Sequence, residues 1–212
     1  MTRSTGSGLG GSSFCWEQFV ASRRSVRRYL PSALTNEEIT RLLQAACWAP
    51  SAHNRQPWRF AVIEDHGTKD RLARAMGERL RIDRRVDGDD EATIEADVAR
   101  SRARITGAPL VILLCLVVAD MDAYPDERRA KAEYLMAVQS TAMAAQNLLL
   151  AAHAAGLGAC WMCAPLFCRD DVSAALALPK GWDPQALITI GKPANAGKPP
   201  TRGPLSELVY RP

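Results

Sequence analysis

Histidine is scarce in this chain of 212 residues: three are present, and they are spread along the sequence. A structural zinc site takes four cysteine or histidine ligands. Cys160, Cys163 and Cys168 cluster, but no fourth ligand and no second knuckle accompany them, so no metal site is predicted. The Cys160-x-x-Cys163 spacing leaves a redox role open, with structural thiols as the favoured alternative. Neither His53 nor His66 belongs to a convincing Ser-His-carboxylate set, so no catalytic side chain is predicted.

Long apolar runs and a large excess of one charge are also missing. No apolar run of roughly 18 residues is free of charges or breaks, so no membrane span is predicted. The net charge of +4 is modest and mixed along the chain, which does not suggest nucleic acid as a partner. Six cysteines without a secretory signal favour a reducing, cytoplasmic location. The Gly/Ser/Thr-rich residues 1–13 are expected to be a disordered tail, and residues 14–212 to form one domain.

The hydrophobic periodicity predicts an α+β sandwich. Two helices come first, followed by the order strand, helix, helix, strand, helix, strand, helix, strand. The apolar run of residues 110–118 is predicted to be a central strand buried on both faces. The longest helix, from about Arg129 to Ala155, has few charges in its second half, so it is either the spine of the core or a subunit interface. The tail of residues 191–212 ends in an apolar segment, which suggests that it reaches a partner subunit.

Two polar segments carry the chemistry. The first, residues 23–28, reads Arg-Arg-Ser-Val-Arg-Arg and is called the arginine segment. Arginine forks together with a hydroxyl are the donors that bind a phosphate. The second, residues 49–58, reads Ala-Pro-Ser-Ala-His-Asn-Arg-Gln-Pro-Trp and is called the wall loop. Two prolines stiffen it, and its serine and amide side chains offer hydrogen bonds to a ligand. Either segment alone could be a surface turn, whereas together they indicate a site for a phosphorylated, planar cofactor.

These segments make the chain resemble the FMN-dependent nitroreductase superfamily. The matching pieces are Arg-Arg-Ser-Val-Arg of the arginine segment, Ala-Pro-Ser-x-x-Asn-x-Gln-Pro-Trp of the wall loop, Ala-Ala-Gly-Leu-Gly at residues 154–158, and Arg202 in the tail. The resemblance implies a three-layer sandwich with a central mixed sheet flanked by helices. It also implies an intertwined homodimer, with two FMN sites at the interface and a C-terminal extension swapped onto the opposite subunit.

The resemblance further implies a role for each matching residue. Arg23 and Ser25 would hold the FMN phosphate, with Arg24 near it and Arg202 completing the clamp. Arg27 would face the N1/C2 edge of the flavin, where a fixed cation favours the reduced state. The partner subunit would line the ring and the ribityl chain with four wall-loop residues: Pro50, Ser51, Ala52 and Asn54. The end of the third strand would pass the ring and aim a backbone N–H at N5, through Trp161, Met162, Cys163 and Ala164.

A narrower resemblance is to the C-terminal nitroreductase-like domain of the bifunctional coenzyme F-420 biosynthesis protein. That domain is attached to a γ-glutamyl ligase domain, whereas here it is expected to stand alone. The shared pieces are Asp87-Gly88, Tyr124-Pro125-Asp126 and Gly-Leu-Gly-Ala-Cys-Trp at residues 156–161. They imply hydride transfer through FMN N5, in a ping-pong mechanism, to a deazaflavin precursor. Two alternatives stay open: a general NAD(P)H-dependent nitro or quinone reductase, and a non-catalytic flavin- or F-420-binding partner of a separate ligase.

Overall fold

The computed structural model describes residues 15–212 of the chain. The predicted tail of residues 1–13, and residue 14 at the predicted start of the first helix, lie outside the described residues. The elements follow one another in the predicted order. The described α-helices are α1 (Trp16–Ser22), α2 (Asn36–Cys47), α3 (His66–Val86), α4 (Glu91–Thr106), α5 (Glu127–Ala154) and α6 (Arg169–Leu176). The described strands are β1 (Trp58–Ile63), β2 (Leu110–Leu116), β3 (Gly158–Met162) and β4 (Asp183–Gly191).

The four strands form one antiparallel sheet in the order β1-β2-β4-β3, so β1 and β3 are its edges. The prediction of a mixed sheet is wrong for these strands. Within residues 15–212, parallel pairing is confined to an isolated bridge between Ser25 and Ala159. The helices α3 and α4 explain this result, because they lie antiparallel and return the chain to the end of the sheet where β1 finishes. β2 therefore runs back along β1, and β4 inserts between β2 and β3, which point the same way.

Apolar cores cover both faces of the sheet, which gives the molecule three layers. One core packs the sheet against α2 and α5, with Leu42 and Leu148 at its centre. The other packs the opposite face against α3 and α6, with Leu72 and Val172 fully buried. Every residue of β2 is buried, as predicted for a central strand. Burying one such aliphatic side chain contributes about 1.5–3 kcal/mol, so the sheet is a rigid base for the segments at its edges.

A capping box fixes the start of α2, the helix that leads to the wall loop. The Glu38 N–H donates to Thr35 Oγ1 at 3.2 Å, and the Thr35 N–H donates to Glu38 Oε2 at 2.7 Å. The second bond lowers the pKa of the Glu38 carboxyl, because it favours the ionised form. The helix ends at Cys47, just before the wall loop begins.

Length and composition alone would allow α5 to cross a membrane. Its most apolar 18-residue window has a mean hydropathy of 1.2, and 44% of that window is buried inside the molecule. Ala144, Leu148 and Ala152 pack on the sheet, as the residues of a core helix do. Of the two predicted alternatives, a core helix is confirmed for this face, and a subunit interface stays a prediction. Leu135 and Met143 remain exposed on its other side.

Candidate functional site

The arginine segment lies along the free edge of β3. The Val26 N–H donates to the Ala159 carbonyl at 3.0 Å, next to the bridge between Ser25 and Ala159. Gly158 permits this approach, because a Cβ there would lie 2.7 Å from Val26 Cγ1. The Tyr29 hydroxyl locks the far end of the segment by contacting the Val26 carbonyl at 2.5 Å and Thr189 Oγ1 at 2.8 Å. Burial raises the pKa of Tyr29, so this hydroxyl stays neutral.

The cations of the segment are largely free of internal partners. Val26 turns into the core, whereas Arg27 and Arg28 are exposed. No carboxylate of residues 15–212 pairs with Arg23, Arg27 or Arg28. Arg24 instead donates to the backbone carbonyls of residues 21 and 23. Three guanidinium groups without a carboxylate partner, held on one segment, repel one another, so an anionic ligand would stabilise the arrangement.

The first cavity on this segment, called the Arg27 cavity, has a volume of about 670 Å³. Ser25 lines it, and none of its nine lining residues is acidic. Its cations come from the arginine segment, from α4 and from the tail: Arg27, Arg28, Arg100, Arg104 and Lys198. The sequence analysis missed the two α4 arginines and Lys198. Arg100 itself pairs with Asp97, and charge alone could not separate either arginine from the many others on α3 and α4.

The second cavity, called the Arg202 cavity, has a volume of about 780 Å³ and contacts the segment at Arg23 and Arg24. It brings Arg23 and Arg24 together with Arg202, although the tail is nearly 180 residues further along the chain. The apolar side chains of Trp16 and Val20 also line it. The arginines predicted to clamp a phosphate therefore do meet in the fold, while Ser25 faces the adjoining Arg27 cavity.

A smaller cavity of about 240 Å³ joins the segment to the end of α5. Ser22 Oγ lies 2.8 Å from His153 Nε2 on its wall. Burial lowers the pKa of His153, and the nearby Arg23 lowers it further. The imidazole is therefore held neutral beside the cationic segment.

The wall loop is held in a strained conformation. His53, Asn54 and Gln56 have φ angles of 50°, 54° and 50°, a region that non-glycine residues seldom adopt. Two hydrogen bonds fix the loop: the Gln56 N–H donates to Ser51 Oγ at 3.1 Å, and the Ala52 N–H donates to Ser140 Oγ on α5 at 3.2 Å. Such strain persists only where surrounding structure enforces it, and it concentrates at functional sites.

The wall loop and the arginine segment lie at opposite edges of the sheet. The loop leads into β1, whereas the segment runs beside β3 on its free edge, four strand spacings from β1. At about 4.8 Å per spacing, that separation is about 19 Å. No residue of the wall loop lines any of the three cavities at the arginine segment, so Pro50, Ser51, Ala52 and Asn54 stay apart from it within the described chain.

The end of β3 comes next to the Arg27 cavity. Cys160 is buried, and burial raises the pKa of its thiol, while Arg27, Arg104 and Arg23 partly offset that effect. Beyond it, Trp161 and Met162 are half-buried, and the exposed Cys163 accepts a hydrogen bond from Trp161 Nε1 at 2.9 Å. A short 3-10 turn, Ala164–Phe167, then leads to α6.

The described cysteines are all free thiols. Burial raises the pKa of Cys168 to about 11 and that of Cys160 above its usual value. A reactive thiol needs the opposite shift, because the thiolate is the nucleophile. Burial therefore does not activate the thiols of Cys160 and Cys168 as nucleophiles.

Comparison with known proteins agrees with this geometry. The model of the Nitroreductase family matches residues 20–192. That range contains every described α-helix and strand except the first residues of α1. An NADH dehydrogenase of Thermus thermophilus is 30% identical over 211 residues, covering 88% of this chain and 91% of that protein.

Solved structures show the same fold. A Desulfovibrio desulfuricans protein classed as a nitroreductase, and crystallised in complex with FMN, is 30% identical. It superposes with a TM-score of 0.70 over 92% of this chain and 95% of its own. A BluB-like flavoprotein from Clostridium difficile, 21% identical, shares the fold with a TM-score of 0.75 over 94% and 99% of the two chains. By its matched residues and its architecture, this chain belongs to the Nitroreductase family.

Proposed function

We propose that this protein is an FMN-dependent oxidoreductase that works as a homodimer. The observation that carries the proposal is the arginine segment, which is fixed on the edge of β3 with three guanidinium groups that lack acidic partners. Membership of the Nitroreductase family supports the same chemistry, and a relative of 30% identity was crystallised with FMN.

The residues present fit an FMN molecule. Its phosphate needs several cations that are not neutralised internally, and the segment offers them. The Arg27 and Arg202 cavities, of about 670 and 780 Å³, have the size of small-molecule sites. Their linings contain one carboxylate, Glu17, on the side away from Ser25. The charge and the space of the site therefore match an anionic nucleotide.

Each part of the site has a distinct task. When bound, FMN supplies hydride transfer through its N5 atom, from a donor and then to an acceptor in alternating half-reactions. Arg23, Ser25 and Arg202 hold the phosphate, with Arg24 beside them. Arg27 places a permanent positive charge at the N1/C2 edge, where negative charge increases on reduction. The backbone after β3 offers an N–H donor near the ring, from the run Trp161, Met162, Cys163 and Ala164.

A second subunit completes this site. Because the wall loop lies at the opposite edge of the sheet, Pro50, Ser51, Ala52 and Asn54 can cover a ligand on the arginine segment only if a partner chain supplies them. Exposed apolar side chains supply a surface for that partner, among them Trp48, which is 86% exposed just before the wall loop. An interface that builds two such sites is self-complementary, as in a twofold dimer.

The tail is suited to the swapped role that the resemblance implies. After β4 it forms no helix or strand within the described residues, apart from the 3-10 turn Leu205–Glu207. Leu205, Leu208 and Tyr210 are 72%, 74% and 86% exposed, so the tail leaves its own apolar side chains uncovered. Docking these side chains on the partner would bury them, while Arg202 lies at the arginine segment of its own chain.

NAD(P)H is the electron donor that the curated relatives favour, since their names include NADH dehydrogenase and NAD(P)H nitroreductase. The acceptor in this proposal is a nitro or quinone compound. A deazaflavin precursor is the second candidate, and the motifs shared with the F-420 biosynthesis protein support it. The cations that FMN does not use, Arg28 and Arg104 among them, suit an acceptor with anionic groups.

An absorption spectrum tests the proposal. We expect purified protein, supplemented with FMN and freed of excess, to retain the flavin spectrum. NADPH should bleach it, and a nitroaromatic compound or a quinone should restore it. Bleaching only by dithionite, together with tight binding of F-420, would favour the deazaflavin role. Colourless protein whose melting temperature does not respond to FMN would refute the proposal, and bound flavin without any turnover would indicate a non-catalytic binding partner.

A further inference from the structure

Three ligand-type side chains from distant parts of the chain meet beneath the wall loop. His53 comes from the strained turn of that loop, Asp122 from the loop after β2, and Glu133 from the second turn of α5. One ligand atom of each lies within 4.8 Å of the others. Among the described residues this is the one group of three histidine, cysteine or carboxylate side chains with that spacing. The sequence could not reveal it, because the three positions share no motif spacing.

Glu133 is the feature that demands an explanation. Its exposed fraction is 4%, and its Oε2 atom has no hydrogen-bond partner. A buried ionised carboxylate without a partner is costly by several kcal/mol, so natural proteins pair such groups or use them to bind metals. The cluster that Glu133 faces contains a second carboxylate, Asp122, which already pairs with Arg55, so Glu133 is the ligand without a cationic partner. A positive charge between the two carboxylates would remove the cost at Glu133.

We propose that His53, Asp122 and Glu133 bind one divalent transition-metal ion of the zinc type. One imidazole nitrogen and two carboxylate oxygens form a mixed set that suits Zn²⁺ better than Mg²⁺, which takes oxygen ligands. The two carboxylates of the set carry a charge of about −2, of which Arg55 offsets one at Asp122, so an ion is needed chiefly for the charge at Glu133. Three protein ligands leave a fourth position of a tetrahedral site for water or a substrate atom.

The distances require a modest closure. With metal–ligand bonds of about 2.1 Å, the ligand atoms of a tetrahedral site lie about 3.4 Å apart. The spacing here is at most 4.8 Å, so the ligands must converge by about 1.4 Å or less. His53 is exposed, which leaves its ring free to make that movement, whereas Glu133 is held in the helix.

Neighbouring groups already orient the ligands. Arg55 forms an ion pair with Asp122 through Oδ1, which fixes this carboxylate and leaves its other oxygen for the ion. The Ala52 N–H donates to Ser140 Oγ, which ties the turn that carries His53 to α5, two turns after Glu133. Such supporting contacts are typical of metal sites. The bound ion would cross-link the wall loop to α5 and hold Asn54 in place.

Calorimetric titration of metal-free full-length protein with ZnCl₂ tests the site. We expect one ion per chain, at least about tenfold weaker binding in Glu133→Gln and in His53→Ala, and a rise in melting temperature with zinc that these two variants lose. Glu127→Gln is the matched control, because this exposed carboxylate of α5 pairs only with Lys131. His66→Ala is the control for His53→Ala, because its imidazole is exposed and lies outside the cluster.

X-ray absorption of the zinc-loaded protein identifies the ligands. The site predicts nitrogen and oxygen neighbours at about 2.0–2.2 Å and no sulfur at about 2.3 Å. Sulfur ligation, zinc binding that survives Glu133→Gln unchanged, or no stoichiometric binding would each overturn the proposal. Flavin absorbance and circular dichroism, recorded on the same samples, report the fold and FMN binding separately. A missing metal site therefore leaves the proposed oxidoreductase function untouched, and the reverse also holds.

Discussion

The sheet and the arginine segment approach closely at Gly158. A single methyl group added there should displace the segment and weaken FMN binding. In Gly158→Ala the new Cβ would lie 2.7 Å from Val26 Cγ1 and 2.8 Å from Val26 Cβ. Ordinary contacts between carbon atoms are about 3.5–4.0 Å, so Val26 must withdraw by about 1 Å. That shift strains the bond from the Val26 N–H to the Ala159 carbonyl, which anchors the segment.

The expected penalty follows from the overlap. Overpacking by one methyl group costs about 1–3 kcal/mol. The segment lies at the sheet edge, and Val26 is its one buried side chain, so the cost is shared between folding stability and FMN binding. If the whole cost of about 1–3 kcal/mol falls on FMN binding, the dissociation constant of FMN rises about 5- to 150-fold. Fluorescence titration with FMN measures this change, with circular dichroism as the check on the fold.

A second substitution separates local displacement from general damage. Val26→Ala removes two of the three contacts that the new methyl group would meet, so it should recover part of the lost affinity in the Gly158→Ala background. If Gly158→Ala binds FMN as tightly as the unmodified protein, the arginine segment does not grip the cofactor from this position. If Val26→Ala worsens the defect, steric displacement is not its cause.

Three further predictions concern charge, capping and pH. Arg27→Ala should weaken FMN binding and make the bound flavin harder to reduce, measured by redox titration, whereas Arg41→Ala, a surface control on α2, should change neither. Thr35→Ala should lower the free energy of unfolding by about 1 kcal/mol in urea denaturation, because it removes the cap of α2, and Thr40→Ala on the exposed side of the same helix should not. Burial lowers the pKa of His153 from 6.5, so the unfolded chain takes up the proton first and stability should fall as the pH drops below 6.5. His153→Gln should reduce that slope in denaturation curves at pH 5.5 and 7.5; an unchanged slope would contradict the assignment.

The order of helices and strands was predictable because local patterns determine it. The capping box at Thr35 and Glu38, the run of seven buried residues in β2 and the apolar second half of α5 each carry their signal within one element. Antiparallel pairing was not predictable in this way. It depends on how α3 and α4 pack together, and their ion pairs, such as Arg81 with Glu95, join residues with no short-range pattern.

The residues of the candidate site were likewise predictable only where they are continuous in sequence. The arginine segment and the wall loop were visible because each is continuous in sequence. Arg100, Arg104 and Lys198 were not, because only the fold carries α4 and the tail to the Arg27 cavity. Glu133 gave no signal at all, since a glutamate in a helix is ordinary until its burial is known.

Mixed dimers test most directly whether two chains share each site. One chain would carry Arg27→Ala and the other Ser51→Ala with Asn54→Ala, with different affinity tags so that the mixed dimer can be isolated. Because the proposed site pairs the arginine segment of one subunit with the wall loop of the other, one of the two sites in the mixed dimer is intact. We predict one tightly bound FMN per mixed dimer, and weak binding in either parent dimer. A mixed dimer that binds FMN no better than its parents would contradict the account.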